Sequence, residues 1–194
     1  DETASVPALR QTGLQVTMTR SIYEFENAQI NVTISFMRPA LQADLDAFAM
    51  PLSYLTWQVR SVDGQEHAVS IYDSTSSQLV VNQTSEKVQW FRETAGKLTA
   101  LRVGTVEQPI LGSSGDDHRI NWGYAYAAAP SKESQSAIGA NDTLLNDFVS
   151  NGELPTADDP QMPRAVNDQQ PVMAFVFDLG KVSARPMTRQ VIVA

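Results

Sequence analysis

Short segments in which apolar and polar residues alternate recur along this chain, and they constrain its fold more than any other feature. The segments 14–19 (LQVTMT) and 30–36 (INVTISF) place an apolar residue at every second position. Successive side chains of a β-strand point to opposite faces, so each segment predicts a strand with one buried face. Many short strands of this kind are typical of an all-β sandwich.

Eight further strands are predicted from β-branched and aromatic residues bounded by Gly, Pro, Asn or Ser. They cover 53–62, 67–75, 77–82, 87–93, 98–104, 120–128, 172–179 and 188–194. Between the first two lies 63-DGQE-66, and Asp-Gly is a strong hairpin signal because Gly accepts the positive φ of a tight turn. The sequence therefore predicts an antiparallel β-sandwich with a hairpin at this position.

One short helix and one long loop interrupt the strands. The segment 142–151 (DTLLNDFVSN) places its apolar residues on one helical face, with Asn141 or Asp142 as the N-cap and Gly152 after the C-terminus. The loop 153–171 that follows holds four of the ten prolines. Interspersed apolar residues give it something to bury, so we expect an ordered loop rather than a linker.

Length and composition bound the classes of function. A chain of 194 residues fits one large domain, 1–194, better than two small ones. With 14 Lys+Arg against 22 Asp+Glu and no basic cluster, nucleic acid and anionic membranes are not expected as partners. The strand-like segment 188–194 stops without a turn, which favours a fragment of a larger multidomain protein.

Candidate catalytic and metal-binding residues are few. The chain has no cysteine, no G-x-S-x-G and no S-x-x-K, so a serine hydrolase would rest only on the proximity of Ser113, Ser114 and His118. His67 and His118 lack zinc-site spacing. The acidic pairs at 44/46, 116/117 and 158/159 offer oxygen ligands for calcium, but such pairs are usually solvated turns. We therefore expect no metal and no cofactor.

Three tryptophans are candidates for stacking on a sugar. Trp57, Trp90 and Trp122 all fall within predicted strands. An aromatic side chain within a strand is more often core than binding surface. We interpret all three as core residues, with ligand stacking as the alternative.

Two polar segments are candidates for a functional site. In 115-GDDHRINWGYAY-126, Asp116, Asp117 and Arg119 are expected in an outward turn, followed by a strand whose aromatic residues share a face. In 162-MPRAVND-168, Arg164, Asn167 and Asp168 can make charge-assisted hydrogen bonds. These bonds would either pin the long loop or orient a polar ligand, and we favour pinning.

Four strings together resemble a known family. They are 50-MPLSYLTWQVRSVDGQEH-67, 115-GDDHRINWGYAY-126, 154-LPTADDPQMPRAVND-168 and 175-FVFDLGKV-182. In this order they are similar to the N-terminal domain of glutaminase A-type proteins, formerly a domain of unknown function. The likeness covers nearly the whole chain.

The resemblance implies a β-sandwich followed by a helical, toroid-like domain, in a large secreted or periplasmic enzyme that converts glutamine to glutamate and ammonia. It implies no catalytic residue here, and Asn121 stands where family members commonly carry Asp. We expect a structural or site-completing domain whose small-molecule substrate belongs to the parent protein. Six residues are expected to contact the helical domain or complete its site: Asp116, Asp117, Arg119, Arg164, Asn167 and Asp168. A carbohydrate-binding module and a purely structural domain are the alternatives.

Overall fold

A computed structural model of the protein describes residues 7–41 and 43–194. The chain divides into two compact units. Unit 1 extends to Val69 and includes Leu179–Val191, and unit 2 comprises Ser70–Asp178 with Ile192–Ala194. The expectation of one domain over 1–194 stays a prediction.

The described residues form twelve strands and two α-helices. In chain order they are β1 (Arg10–Val16), β2 (Arg20–Glu26), β3 (Ile30–Met37), α1 (Leu45–Ala49), β4 (Ser53–Ser61), β5 (His67–Ser76), β6 (Lys87–Ala95), β7 (Leu98–Thr105), β8 (Ala125–Pro130), β9 (Gln135–Ala140), α2 (Asn141–Asn151), β10 (Arg164–Ala165), β11 (Pro171–Val182) and β12 (Met187–Val193). All sheet pairings are antiparallel, so the predicted all-β sandwich fold is confirmed, with α2 as its principal helix and an ordered loop after it.

Unit 1 is built on the strand order β1-β2-β3-β4-β12. The pairing of β2 with β3 and of β3 with β4 is continuous, from Arg20 opposite Met37 to Ile30 opposite Ser61. The short helix α1 connects β3 to β4, and the Asp44 carboxylate caps it by accepting a hydrogen bond from the Ala47 N–H at 3.0 Å. The buried face predicted for segment 14–19 is wrong, because Leu14 is 55% and Val16 67% exposed.

Unit 2 contains two facing sheets, β8-β7-β6-β10 and β5-β11-β9. Residues opposite one another in antiparallel strands share a face, so the register places Trp90 of β6 beside Val103 of β7 and Ala125 of β8. All three are buried. The same face of β6 carries Arg92, whose guanidinium donates to the Ser136 hydroxyl of β9 at 2.6 Å. The core of unit 2 therefore lies between these sheets.

Helix α2 covers the other side of β9 and β11. Its Leu144 is 3% exposed and, with Phe148, joins a cluster formed by Ala137, Leu154, Val172, Ala174 and Val176. Burying a leucine side chain contributes about 2 kcal/mol. The helix ends at Gly152, whose left-handed φ of 73° lets its N–H donate to the Phe148 carbonyl at 2.7 Å. The predicted N-cap is wrong: Ala140 takes that position, with no side-chain cap.

Three local predictions are wrong. Within residues 7–41 and 43–194, β4 and β5 are not sheet neighbours, so 63-DGQE-66 joins two sheets instead of closing a hairpin, although Gly64 has the expected positive φ. Residues 77–80 form a 3-10 helix because the Ser76 hydroxyl accepts from the Gln78 N–H at 3.2 Å and starts a turn. The strand predicted at 120–128 begins only at Ala125.

Candidate functional site

A single turn of unit 2, residues 82–86, holds both polar segments that the sequence singled out. The Thr84 carbonyl accepts from the Asn167 N–H at 2.8 Å, and the Glu86 carbonyl accepts from the Val166 N–H at 3.2 Å. On the other segment, the Asn82 side-chain carbonyl accepts from the Arg119 N–H at 3.1 Å. The segments 115–126 and 162–168 are therefore brought together.

Glu86 is the polar centre of this turn. Its carboxylate accepts from the backbone N–H groups of Asn82 and Gln83 at 2.6 and 2.7 Å, and from the Asn121 amide at 2.5 Å. Partial burial acts to raise the pKa of Glu86, but the hydrogen bonds from Gln83, Asn121 and Asn82 outweigh it and lower the pKa below the usual 4.5. Glu86 is thus a fixed anion that positions its neighbours.

Hydrogen bonds close the base of the loop that carries the first segment. Thr105 donates its hydroxyl to the Asn121 carbonyl at 2.6 Å. Gln108 donates to the Gly123 carbonyl at 3.0 Å and accepts from the Gly123 N–H at 2.6 Å. Gln108 and Leu111 have φ angles of 44° and 52°, which cost a non-glycine residue of order 1 kcal/mol each. The loop is therefore held in a defined but strained shape.

Several apolar side chains of this loop are exposed. Ile110 is 69%, Leu111 81% and Ile120 65% exposed. Trp122 is 36% exposed and, with Ile120 and Leu79, lines a depression of 340 Å³. Trp122 is therefore a surface residue of the loop, and its interpretation as core is wrong.

The acidic turn within the loop has no internal charge partner. Asp116, Asp117 and Arg119 are all exposed, as expected for an outward turn. In the described part of the chain, none of the three side chains takes part in an ion pair. Their charges are available to solvent or to another surface.

Arg164 pins the long loop, but through Asp159 and Gln169 rather than through the Asn167 and Asp168 with which the sequence grouped it. Its guanidinium lies 2.5 Å from the Asp159 carboxylate, donates to the Gln169 side-chain carbonyl at 2.8 Å, and stacks 5.4 Å from the centre of the Trp90 ring. Trp90 donates its indole N–H to the Asp159 carbonyl at 2.9 Å and is 2% exposed, so it is a core residue. The side chains of Asn167 and Asp168 are exposed.

A second arginine fixes the neighbouring acid. Arg92 donates through Nε and Nη2 to both carboxylate oxygens of Asp158, at 2.9 and 2.6 Å, and the Ile138 N–H donates to the same carboxylate at 2.9 Å. Asp158 and Asp159 are thus occupied by arginines and are not free calcium ligands. The bidentate pair attaches the loop to β6, and the Ile138 N–H attaches it to β9.

Nothing in the described residues forms a recognisable catalytic or metal centre. His118 is hydrogen-bonded with Asn82 at 3.3 Å and His67 with Asp63 at 2.9 Å, and within the described ranges no hydrogen bond joins either imidazole to a serine. No group of three metal-ligating side chains occurs over 7–41 and 43–194. No helix among the residues described is long and apolar enough to cross a membrane.

Sequence reasoning missed the residues that organise this region. Glu86, Gln108 and Arg92 carried no motif, and Asp159 was considered only as one of an acidic pair with oxygen ligands for calcium. The one available signal was Gln83-x-x-Glu86, the spacing at which a Glu side chain reaches back to an N–H three residues earlier.

Comparison with known proteins adds the family. The chain is 26% identical over 180 residues to glutaminase A of Aspergillus oryzae, an alignment that covers 92% of this chain and 26% of that protein. The chain thus spans about a quarter of the length of this relative. A solved structure titled "Putative kojibiose phosphorylase from human microbiome" superposes with a TM-score of 0.43 and 11% identity, over 90% of this chain and 17% of that one. The family model described as Domain of unknown function (DUF5127) matches residues 19–194, and the chain belongs to that family.

Proposed function

We propose that this chain is the site-completing β-sandwich of a glutaminase-like amidohydrolase that hydrolyses glutamine to glutamate and ammonia. The relationship to glutaminase A supports the parent activity, and the DUF5127 match supports the placement of this chain within such a protein. The chemistry itself would lie in the remainder of the polypeptide, which we expect to be helical. The proposed parent acts outside the cytoplasm.

The observation that carries the proposal is the loop 106–123. Hydrogen bonds fix its base, while Ile110 and Leu111, which follow Gln108 closely in the chain, are exposed to solvent. A strained, pinned loop with exposed apolar side chains is costly for an isolated domain, and such loops commonly serve as binding elements. Asp116, Asp117 and Arg119 then supply unpaired charges that can orient the loop against the catalytic part of the parent.

The long loop plays a supporting role in this proposal. The Arg164 guanidinium already binds Asp159 and Gln169. In this proposal it therefore positions the backbone of Asn167 and Asp168 and does not contact substrate. The exposed side chains of Asn167 and Asp168 lie on the segment that Thr84 and Glu86 hold beside the first loop. The two segments would form one contact surface.

A substrate panel tests the proposal. Hydrolysis of glutamine, other amides and glycosides is measured for the 194-residue chain and for the longer polypeptide that contains it. We expect glutamine turnover by the longer polypeptide alone. Full glutaminase activity in the 194-residue chain would refute a site-completing role, and glycoside cleavage without amide hydrolysis would refute the parent activity.

A further inference from the structure

One face of the unit 1 sheet is apolar and carries no charged side chain across four strands. Residues directly opposite one another share a face, and the register gives three rows that run from β1 to β4. They are Leu14-Tyr23-Ile34-Trp57, Val16-Ser21-Phe36-Leu55 and Gln11-Phe25-Val32-Val59. Ring contacts agree with this assignment, since the Tyr23 ring centre lies 6.5 Å from that of Phe25 and 6.0 Å from that of Phe36. We call these three rows the apolar face.

The apolar face is buried in places on β4 and β3 and exposed on β1. Val59 of β4 is 1% and Val32 of β3 is 8% exposed. Phe36 of β3 reaches 49%, and Val16 of β1 reaches 67%. The face is therefore packed at β4 and open at β1, which leaves a contiguous apolar surface in solvent.

The opposite face of the same strands is polar. Gly13, Glu24, Thr33 and Gln58 form one of its rows, and Gln15 lies on it in β1. A sheet with one polar and one apolar face normally buries the apolar one. The pattern therefore indicates that another surface packs against the apolar face.

The β3–β4 connection also exposes apolar side chains. It leaves β3 at Met37, passes through α1 and enters β4 at Ser53, and α1 contributes no buried residue. Leu45 at 74% and Phe48 at 44% are exposed on this five-residue helix. A helix this short is not stable by itself, and because α1 buries no side chain, packing within the described residues adds little to its stability.

Charge and strand geometry argue against a second copy of this chain as the cover. Two copies would bring together net charges of -8 each, which opposes self-association. The register shift between Gln11 and Gly13 is a β-bulge in β1, a device that disfavours edge-to-edge pairing. The aligned relative, by contrast, has most of its length outside the matched segment.

We propose that the apolar face is an intramolecular docking surface for an uncharged, apolar surface of the remainder of the glutaminase-like polypeptide. The face belongs to unit 1 and the loop 106–123 to unit 2, and the proposal rests on the proposed function only for the identity of the occupant. Tethering within one chain supplies a high effective concentration, so an interface of modest area stays closed.

Single cysteines test the proposal, because this chain has none of its own. Val16→Cys and Phe36→Cys report on the apolar face, and Gln15→Cys, adjacent in β1 but on the polar face, is the matched control. The rate of modification by a water-soluble thiol reagent is measured in the 194-residue chain and in the longer polypeptide. In each case the same protein without the introduced cysteine gives the background rate. We expect the rates at Val16→Cys and Phe36→Cys to fall by about tenfold or more in the longer polypeptide, since access then requires undocking. The rate at Gln15→Cys should not change.

Two results overturn the proposal. If each of the three thiols reacts at the same rate in both proteins, nothing covers the face. Protection already present in the 194-residue chain and lost on dilution would show that a second copy covers it. Glutaminase activity, measured on the same longer polypeptide, separates the two ideas: protection without activity refutes the proposed function, and activity without protection refutes the docking surface.

Discussion

Removal of the Arg164 side chain probes what holds the long loop on unit 2. Arg164 is 6% exposed and makes two polar contacts, one to Asp159 at 2.5 Å and one to Gln169 at 2.8 Å. Its guanidinium also lies over the Trp90 ring. Arg164→Ala leaves the Asp159 carboxylate without its cation, and breaking such a pair costs roughly 3–5 kcal/mol when both partners are buried.

The expected cost lies at the lower end of that range. The Asp159 side chain is 22% exposed and keeps the hydrogen bond from the Gln161 N–H at 2.8 Å, so water and backbone offset part of the loss. We therefore expect Arg164→Ala to lower the free energy of unfolding by about 3 kcal/mol. For a chain of this length that corresponds to a fall in Tm of roughly 6–12 °C.

Urea unfolding followed by tryptophan fluorescence measures this loss. Arg119→Ala is the matched control, because it removes the same side chain from an exposed position without an ion pair among the described residues, and its effect should stay within about 0.5 kcal/mol. Equal stability of the two variants would refute the pinning role of Arg164. It would also remove the basis for treating the segment 162–168 as preorganised.

Three further substitutions probe other contacts of unit 2. The pKa of Glu86 is lowered on folding, so its charged form stabilises the protein above pH 4.5, and that contribution is lost as pH falls through the folded pKa. The difference in unfolding free energy between wild type and Glu86→Gln, obtained from urea midpoints at several pH values, should therefore shrink on acidification. Asn121→Asp places a second carboxylate 2.5 Å from that of Glu86, so stability at pH 7 should fall by about 1–2 kcal/mol and partly recover in acid, measured by the same titration. Gly104→Ala puts a methyl 2.6 Å from the Tyr124 ring and should lower the free energy of unfolding, measured by thermal unfolding, by about 2 kcal/mol. Gly139→Ala, whose added methyl would lie 3.4 Å from its nearest neighbour, should lower it less, and equal losses would contradict the close packing of Gly104.

Local patterns in the sequence predicted individual strands better than their partners. The alternation in 30–36 predicted β3 within a residue of its observed bounds, because the period of a strand is a property of the strand itself. The Asp63-Gly64 signal predicted the turn but not the sheet that the next strand joins. Sheet membership depends on β11, which lies about a hundred residues further along the chain, and no local signal reports it.

The candidate site shows the same division. The pinning role of Arg164 could be predicted, since its carboxylate partner lies five residues away in the same loop. The pair between Arg92 and Asp158 joins residues 66 positions apart, and Glu86 meets Asn121 across 35. These pairs depend on how distant strands and loops pack, so the composition and the spacing of residues could not predict them.

The central claim is that the loop 106–123 completes a site whose chemistry lies elsewhere in the polypeptide. The most direct test is glutamine turnover by the longer polypeptide carrying Ile110→Ser with Leu111→Ser, compared with Val149→Ser, which replaces an exposed apolar residue on α2. We expect kcat/KM for glutamine to fall by about tenfold or more with the loop variant and to stay at the wild-type value with Val149→Ser, because a displaced loop misaligns the site. Wild-type turnover by the loop variant would contradict the claim.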